Sequence, residues 1–94
     1  MDNYDQLLYG PSDVAKSLAH RLKGIRKRKK ITQHQLASRS NVSYASICRF
    51  EQTGLISLES FIKIAMELGV IDEIRELFTR PLYTSIEEVI NDRH

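Results

Sequence analysis

The chain holds a single cysteine, Cys48, so no disulfide can form within it, and its three histidines show no metal-ligand spacing with that thiol or with one another. Neither a metal nor another cofactor is expected, and a reducing, cytoplasmic setting suits such a composition. No apolar run approaches a membrane span, and residues 1–9 carry acids without an apolar stretch behind positive charge, so neither membrane insertion nor export is expected. Internal repeats, low-complexity tracts, Gly/Ser linkers and strand-like alternation are missing too. What is left is one domain, since 94 residues suffice for one core and not for two. No nucleophile-base pair, metal cluster or phosphate-cradling glycine loop is present, and the available acids are expected on the surface, so an enzyme is not expected.

What the chain does hold is an uneven distribution of charge. Residues 1–50 carry ten Lys/Arg against three Asp/Glu, a net of +7, while residues 51–94 carry four against nine, a net of −5. The two halves are suited to different partners. Seven of the ten residues 21–30 are basic, a density that attracts phosphate when it lies on one side of a fold and otherwise marks a solvated helix end.

Helix start and stop signals follow one another closely, which points to an all-α chain. A first helix is expected from Ser12 as N-cap to about Lys29, with Val14, Leu18, Leu22 and Ile25 as its apolar face and Gly24 as a weak point. Thr32-Gln33-His34-Gln35 is a capping box, and the helix it opens, with Leu36 and Ala37 on its inner side, should stop at Ser38-Arg39-Ser40-Asn41. Asn41 is the residue best able to take a left-handed turn there. Val42 then plugs the core, Ser43 caps a third helix with Ile47 and Phe50 inward, and Thr53-Gly54 ends it. Ser57 caps a fourth, in which Leu58, Phe61, Ile62, Ala65 and Leu68 make an apolar stripe that Gly69 stops. A fifth, around 71–78, should turn Ile74, Leu77 and Phe78 inward before Pro81. Thr84-Ser85-Ile86-Glu87 announces a sixth. His20 and His34 should face solvent.

Two short helices joined by a tight turn, the second opening on polar residues, read as a helix-turn-helix in which the second helix enters a DNA major groove while the first braces it. The bracing helix is 32–38 and the reading helix 43–52. The run Ile25-Arg26, Ile31-Thr32-Gln33-His34-Gln35-Leu36-Ala37, Asn41-Val42-Ser43, Ile47-Cys48-Arg49-Phe50-Glu51 and Phe61 through Leu68-Gly69 resembles the XRE-type helix-turn-helix family of phage repressors and Cro proteins. The resemblance covers about residues 12–70 and implies a compact fold of five to six helices like that of the lambda repressor. It divides the chain into an arm at 1–10, a DNA-binding unit at 11–70 and a helical extension at 71–94.

It also implies roles. Gln33 matches a glutamine that bonds a phosphate and orients the reading helix. Ser43, Tyr44, Ala45 and Arg49 occupy base-facing places: Arg49 suits a bidentate bond to guanine, Tyr44 a base edge or phosphate, and Ala45 a thymine methyl. Thr32, Ser46, Arg28 and Lys30 are further candidates for phosphate. Arg26 and Glu51 match an internal salt bridge between the first and third helices. The chain departs from the family in one place, where Thr53 stands two residues after the glutamate and the expected glycine follows one position later, as Gly54.

Such proteins commonly dimerise, because two reading helices ~34 Å apart meet successive major-groove faces. Leu77, Leu82, Tyr83, Ile86, Val89 and Ile90 extend the apolar character past the DNA-binding unit. A homodimer formed by residues after about Val70 is expected, the alternative being that this tail closes the monomer's own core. Arg49-Phe50-Glu51-Gln52-Thr53-Gly54, then Ile56-Ser57-Leu58, Leu77-Phe78 and Pro81, is similar to HipB-type antitoxins, which implies a HipA-like kinase toxin as a further partner. The resulting expectation is a regulator, a repressor or autoregulator, of double-stranded DNA with a palindromic operator. The antitoxin and a protein-interaction module without DNA binding are its alternatives.

Overall fold

Side chains at Thr32, Ser43 and Ser57 each take one backbone amide at the start of a helix, and a left-handed residue follows each of those helices. The computed structural model describes residues 10–81, and among them five helices and no strand: α1 (Pro11–Arg28), α2 (Gln33–Ser40), α3 (Tyr44–Thr53), α4 (Leu58–Glu67) and α5 (Ile71–Arg75). The all-α architecture expected from the sequence is the one observed. The acidic arm and the sixth helix expected at 84–90 lie outside the described residues.

The starts follow from local chemistry. Thr32 accepts from the Gln35 amide at 3.0 Å while the Gln35 side chain accepts from the Thr32 amide at 2.9 Å, the reciprocal box that opens α2. Ser43 and Ser57 accept from Ser46 and Ser60 amides, each at 3.1 Å, and open α3 and α4. The first helix departs from the sequence reading. Gly10, not Ser12, is its N-cap; Pro11 takes the first helical position, where its missing N–H costs nothing, and the Asp13 carboxylate accepts from the Gly10 amide at 3.3 Å.

The stops are left-handed turns. Lys30, Asn41, Gly54 and Gly69 have φ between +59° and +80°, so each junction from α1 to α5 contains one such residue. After α1, the Lys30 amide donates to the Lys27 carbonyl and the Ile31 amide to the Arg26 carbonyl, the paired bonds that reverse a chain at a helix end. Asn41 does the same work after α2, donating to the Ala37 carbonyl. That helix runs to Ser40, two residues beyond the 32–38 span but within the expected stop, and the buried Ser40 hydroxyl donates to the Leu36 carbonyl at 2.6 Å, which leaves no unpaired group inside.

The core is made where α1 packs on α3, and α2 on both α3 and α4. Ala19, Leu22, Leu36, Val42, Ile47, Phe50, Ile64 and Leu68 form one buried cluster, with Phe61 meeting Phe50 edge to face at 5.9 Å. Each large side chain buried here contributes about 1.5–3 kcal/mol relative to exposure, so this cluster is what holds helices of eight to ten residues in place.

Several residues expected inside are at the rim. Val14, Leu18 and Leu58 are exposed, and Ile25 and Ile62 are half-buried, because Ala19 and Ile64 turn the inward faces of α1 and α4 away from them. The largest correction is at the end of α5, which stops at Arg75 and not near 78. Leu77 is exposed, and Phe78, with φ of 64°, is 96% exposed instead of turned inward.

Gly54 is where α3 comes closest to α1. A Cβ there would stand 2.7 Å from the Ala15 carbonyl carbon and 2.8 Å from the Lys16 amide nitrogen, both backbone atoms, and φ is +80°. Gly69 has a similar φ of +78° but meets only the flexible end of Lys29 at 3.8 Å. Urea unfolding should therefore separate them: Gly54→Ala loses about 2–4 kcal/mol from strain plus clash, and Gly69→Ala about 1 kcal/mol from the left-handed conformation alone. Equal losses at the two positions contradict the close approach.

Candidate nucleic-acid interface

The site starts from a buried charge pair. Arg26 projects from α1 to Glu51 near the end of α3; Nε donates to Oε2 at 2.7 Å and Nη2 to Oε1 at 3.0 Å, the two parallel bonds that suit a guanidinium and a carboxylate. The side chains are only 9% and 4% exposed. Two further bonds support the pair: Arg26 Nη1 donates to the Ile31 carbonyl at 2.8 Å, and the Gln33 amide donates to Glu51 Oε1 at 2.9 Å. One pair thus ties α1, the turn after it, α2 and α3 together.

With that end held, α3 has a fixed rotation. Ile47 and Phe50 are buried beneath it, so at 3.6 residues per turn its outermost stripe is Ala45, Arg49 and Gln52, all exposed. Gln52 was not singled out from the sequence, although its place three residues after Arg49 and seven after Ala45 carries the signal. No ion pair engages Arg49 among the described residues. Beside it runs an open cleft lined by Ser46, Leu55, Ile56, Ser57 and Ser60, where the start of α4 comes close to α3. Ser57 and Ser60 gave no cue in linear sequence, since only the fold brings them there.

The edge of α3 nearest α2 carries Tyr44 and Cys48. Tyr44 is 42% exposed, and His34 from the first turn of α2 stacks on it with ring centroids 3.8 Å apart and planes 4° from parallel. His34 is exposed, as expected, but it is not free. The Cys48 thiol lies 3.6 Å from the Gln33 side-chain oxygen. The Cys48 side chain beside it, through hydrogen bonding first, and to a lesser extent burial push the Tyr44 phenol above its ordinary value; even an unshifted phenol is neutral and a donor at neutral pH.

Thr32 and Ser43, both exposed, sit at the N-caps of α2 and α3, and Ser46 is half-buried with its hydroxyl bonded to that of Ser43. Gln33 is half-buried. The basic run does not form one patch. Arg26 is inside, Arg28 lies back along α1 over Gly24, and the Lys29 ammonium reaches over Gly69 at the carbonyl end of α4, where the helix dipole is negative. Arg21, Lys27, Arg28, Lys29 and Lys30 are exposed, and Lys23 is half-buried. Leu77 is exposed, while Leu82, Tyr83, Ile86, Val89 and Ile90 lie outside the described residues. No helix among the described residues is long and apolar enough to cross a membrane, and none of their His, Cys, Asp and Glu cluster as metal ligands.

The buried pair makes a stability prediction. Glu51→Ala strands a buried guanidinium and should cost about 3–5 kcal/mol, whereas the double variant Arg26→Met, Glu51→Leu should recover most of that loss because no charge is left unpaired. Chemical denaturation of the three proteins measures it, and a double variant as unstable as the single one contradicts the reading.

No curated protein and no solved structure matches the chain. A helix-turn-helix family model matches residues 22–72, more than half of it, from the middle of α1 to the start of α5. The matched span contains the buried pair, α2 and α3 with their caps, and the left-handed turn between them, and on these grounds the chain belongs to the XRE-type helix-turn-helix family.

Proposed function

We propose that the protein is a sequence-specific regulator of transcription, a repressor of its own or neighbouring genes, that lays α3 in the major groove of double-stranded DNA. The observation that carries this reading is the outward stripe of α3: Ala45, Arg49 and Gln52 are exposed, and Arg49 has no ion-pair partner among the described residues, on a helix held rigidly from behind by Arg26 and Glu51. A helix fits the major groove, and a free guanidinium there finds the O6 and N7 of guanine in the right geometry for two bonds.

Around it, the exposed N-termini of α2 and α3 point free amides outward, a setting that favours phosphate. Thr32, Ser43 and Ser46 would bond the backbone there. A primary amide has two N–H donors, so Gln33 can keep Glu51 and still bond a phosphate. Lys30, and Arg28 after a change of rotamer, would add charge from the end of α1.

The functional unit in this reading is a homodimer on a palindromic operator. In its support, Leu18, Leu22, Ile25, Phe61, Ile74 and Leu77 line a cleft of about 270 Å³ between α1, α4 and α5. Exposed Leu77 and Phe78 stand beside exposed Asp72, Glu73 and Glu76. The same apolar and acidic surface favours the second reading, a HipB-type antitoxin that also binds a HipA-like kinase. Co-purification of such a kinase encoded next door supports it, and failure to find one removes only that addition.

Selection of bound duplexes from a random pool, followed by titration, tests the main reading. A palindromic site should emerge, its binding constant should fall steeply with salt at a slope of about −0.9 per phosphate contacted, and Arg49→Ala should cost about 1–3 kcal/mol on that site with unfolding unchanged. Equal affinity for all duplexes overturns the sequence-specific part of the reading, and affinity for none points instead to a protein-interaction module.

A further inference from the structure

The stacked pair at the mouth of the helix-turn-helix has no role in the framework just described, and its geometry is too regular to leave aside. We propose that His34 is a positioning residue for sequence choice: its imidazole, lying flat on Tyr44, holds the phenol in one orientation so that the pair acts as a single reading element where α3 enters the groove. This rests on the DNA-binding reading and extends it to a residue of α2.

Three observations carry the inference. The planes are within 4° of parallel at a centroid distance of 3.8 Å, which is face-to-face contact over a large part of both rings. Both residues are exposed, so the hydrophobic core does not force them together. The backbone positions are rigid, because Tyr44 is the first residue of α3, directly after the Ser43 cap, and His34 is the second of α2, inside the Thr32–Gln35 box. An exposed tyrosine without such a partner samples several rotamers, and an element that samples several cannot discriminate sharply between base pairs.

The stack also limits how Tyr44 can work. One face of the ring is covered by imidazole and unavailable to a base or a sugar. What it offers DNA is its edge and hydroxyl, which is neutral and able to donate. Hydrogen bonding at an edge is directional, so the loss of fixed orientation should show as lost selectivity and not as lost charge.

The test uses the full chain and compares wild type with His34→Ala, His34→Phe and Tyr44→Ala by selection from a random duplex pool and by titration of specific and unrelated DNA. His34→Ala should reduce discrimination by about threefold to tenfold, the range that corresponds to one aromatic contact. The loss should fall at the same base-pair positions that Tyr44→Ala affects, and affinity for unrelated DNA should hold. His34→Phe, which can still stack but cannot ionise, should restore the wild-type preference. Thermal unfolding of each variant separates these effects from loss of fold.

If His34→Ala selects the same site as wild type, the positioning role is wrong while DNA reading stands. If it weakens all duplexes equally with a shallower salt slope, and Phe does not rescue it, His34 is a phosphate contact and the proposal is overturned. A wild-type chain that selects no site overturns the DNA reading and the proposal with it.

Discussion

The Arg26–Glu51 pair is the constraint on which the rest of the structure depends. A carboxylate and a guanidinium taken out of water are costly unless they are paired and hydrogen-bonded, and here two guanidinium–carboxylate bonds, the Ile31 carbonyl and the Gln33 amide give every buried nitrogen and oxygen of the pair a partner. Hydrogen bonds to charged groups are directional and strong, so the arrangement admits little sliding. Its consequence is geometric. The end of α3 cannot rotate without breaking bonds to α1 and α2 together, and the stripe that faces away from the core is thereby determined.

Helices of eight and ten residues would be marginal on their own, since nucleation is unfavourable and few bonds follow it. They persist because each has a side-chain cap at its start, a left-handed residue after its end and a shared core below. The left-handed turns matter for direction as much as for hydrogen bonding. Asn41 turns α3 away from α2 so that both N-termini reach the surface near one another, which is what allows His34 and Tyr44 to meet. Gly54 then lets α3 end against the backbone of α1, closer than any side chain allows.

The charge asymmetry takes on a more particular form in three dimensions. The basic density of residues 21–30 looks like one patch in a line of letters, yet one arginine is buried in the pair, another lies back along its own helix, and Lys29 answers the negative end of α4. Of that run Arg26 is the residue spent on holding the fold, in its buried pair with Glu51. The charge left for a polyanion sits on fewer residues, Arg49 and Lys30 foremost, and the free N-termini of α2 and α3 complement them. The acidic half supplies α5, whose exposed carboxylates are better suited to a protein partner than to phosphate.

What the sequence by itself determined is everything governed by contacts within a few residues: the caps at Thr32, Ser43 and Ser57, the turns at Asn41, Gly54 and Gly69, and the buried places of Leu36, Val42, Ile47 and Phe50. A serine or threonine three residues before a free amide, or a glycine after an apolar run, acts through local geometry, and local geometry can be read in order. The spaced set of such signals also carried the family. Only the tertiary structure decided which rim residues are covered, so Val14, Leu18, Leu58, Leu77 and Phe78 were assigned inward by periodicity and found exposed. Periodicity gives the direction of a face, whereas its width depends on what lies opposite. The stacking of His34 on Tyr44, the bond from Gln33 to Glu51 and the approach of Ser57 to Arg49 are of the same kind, because each joins groups on different helices and depends on the angles at which those helices cross.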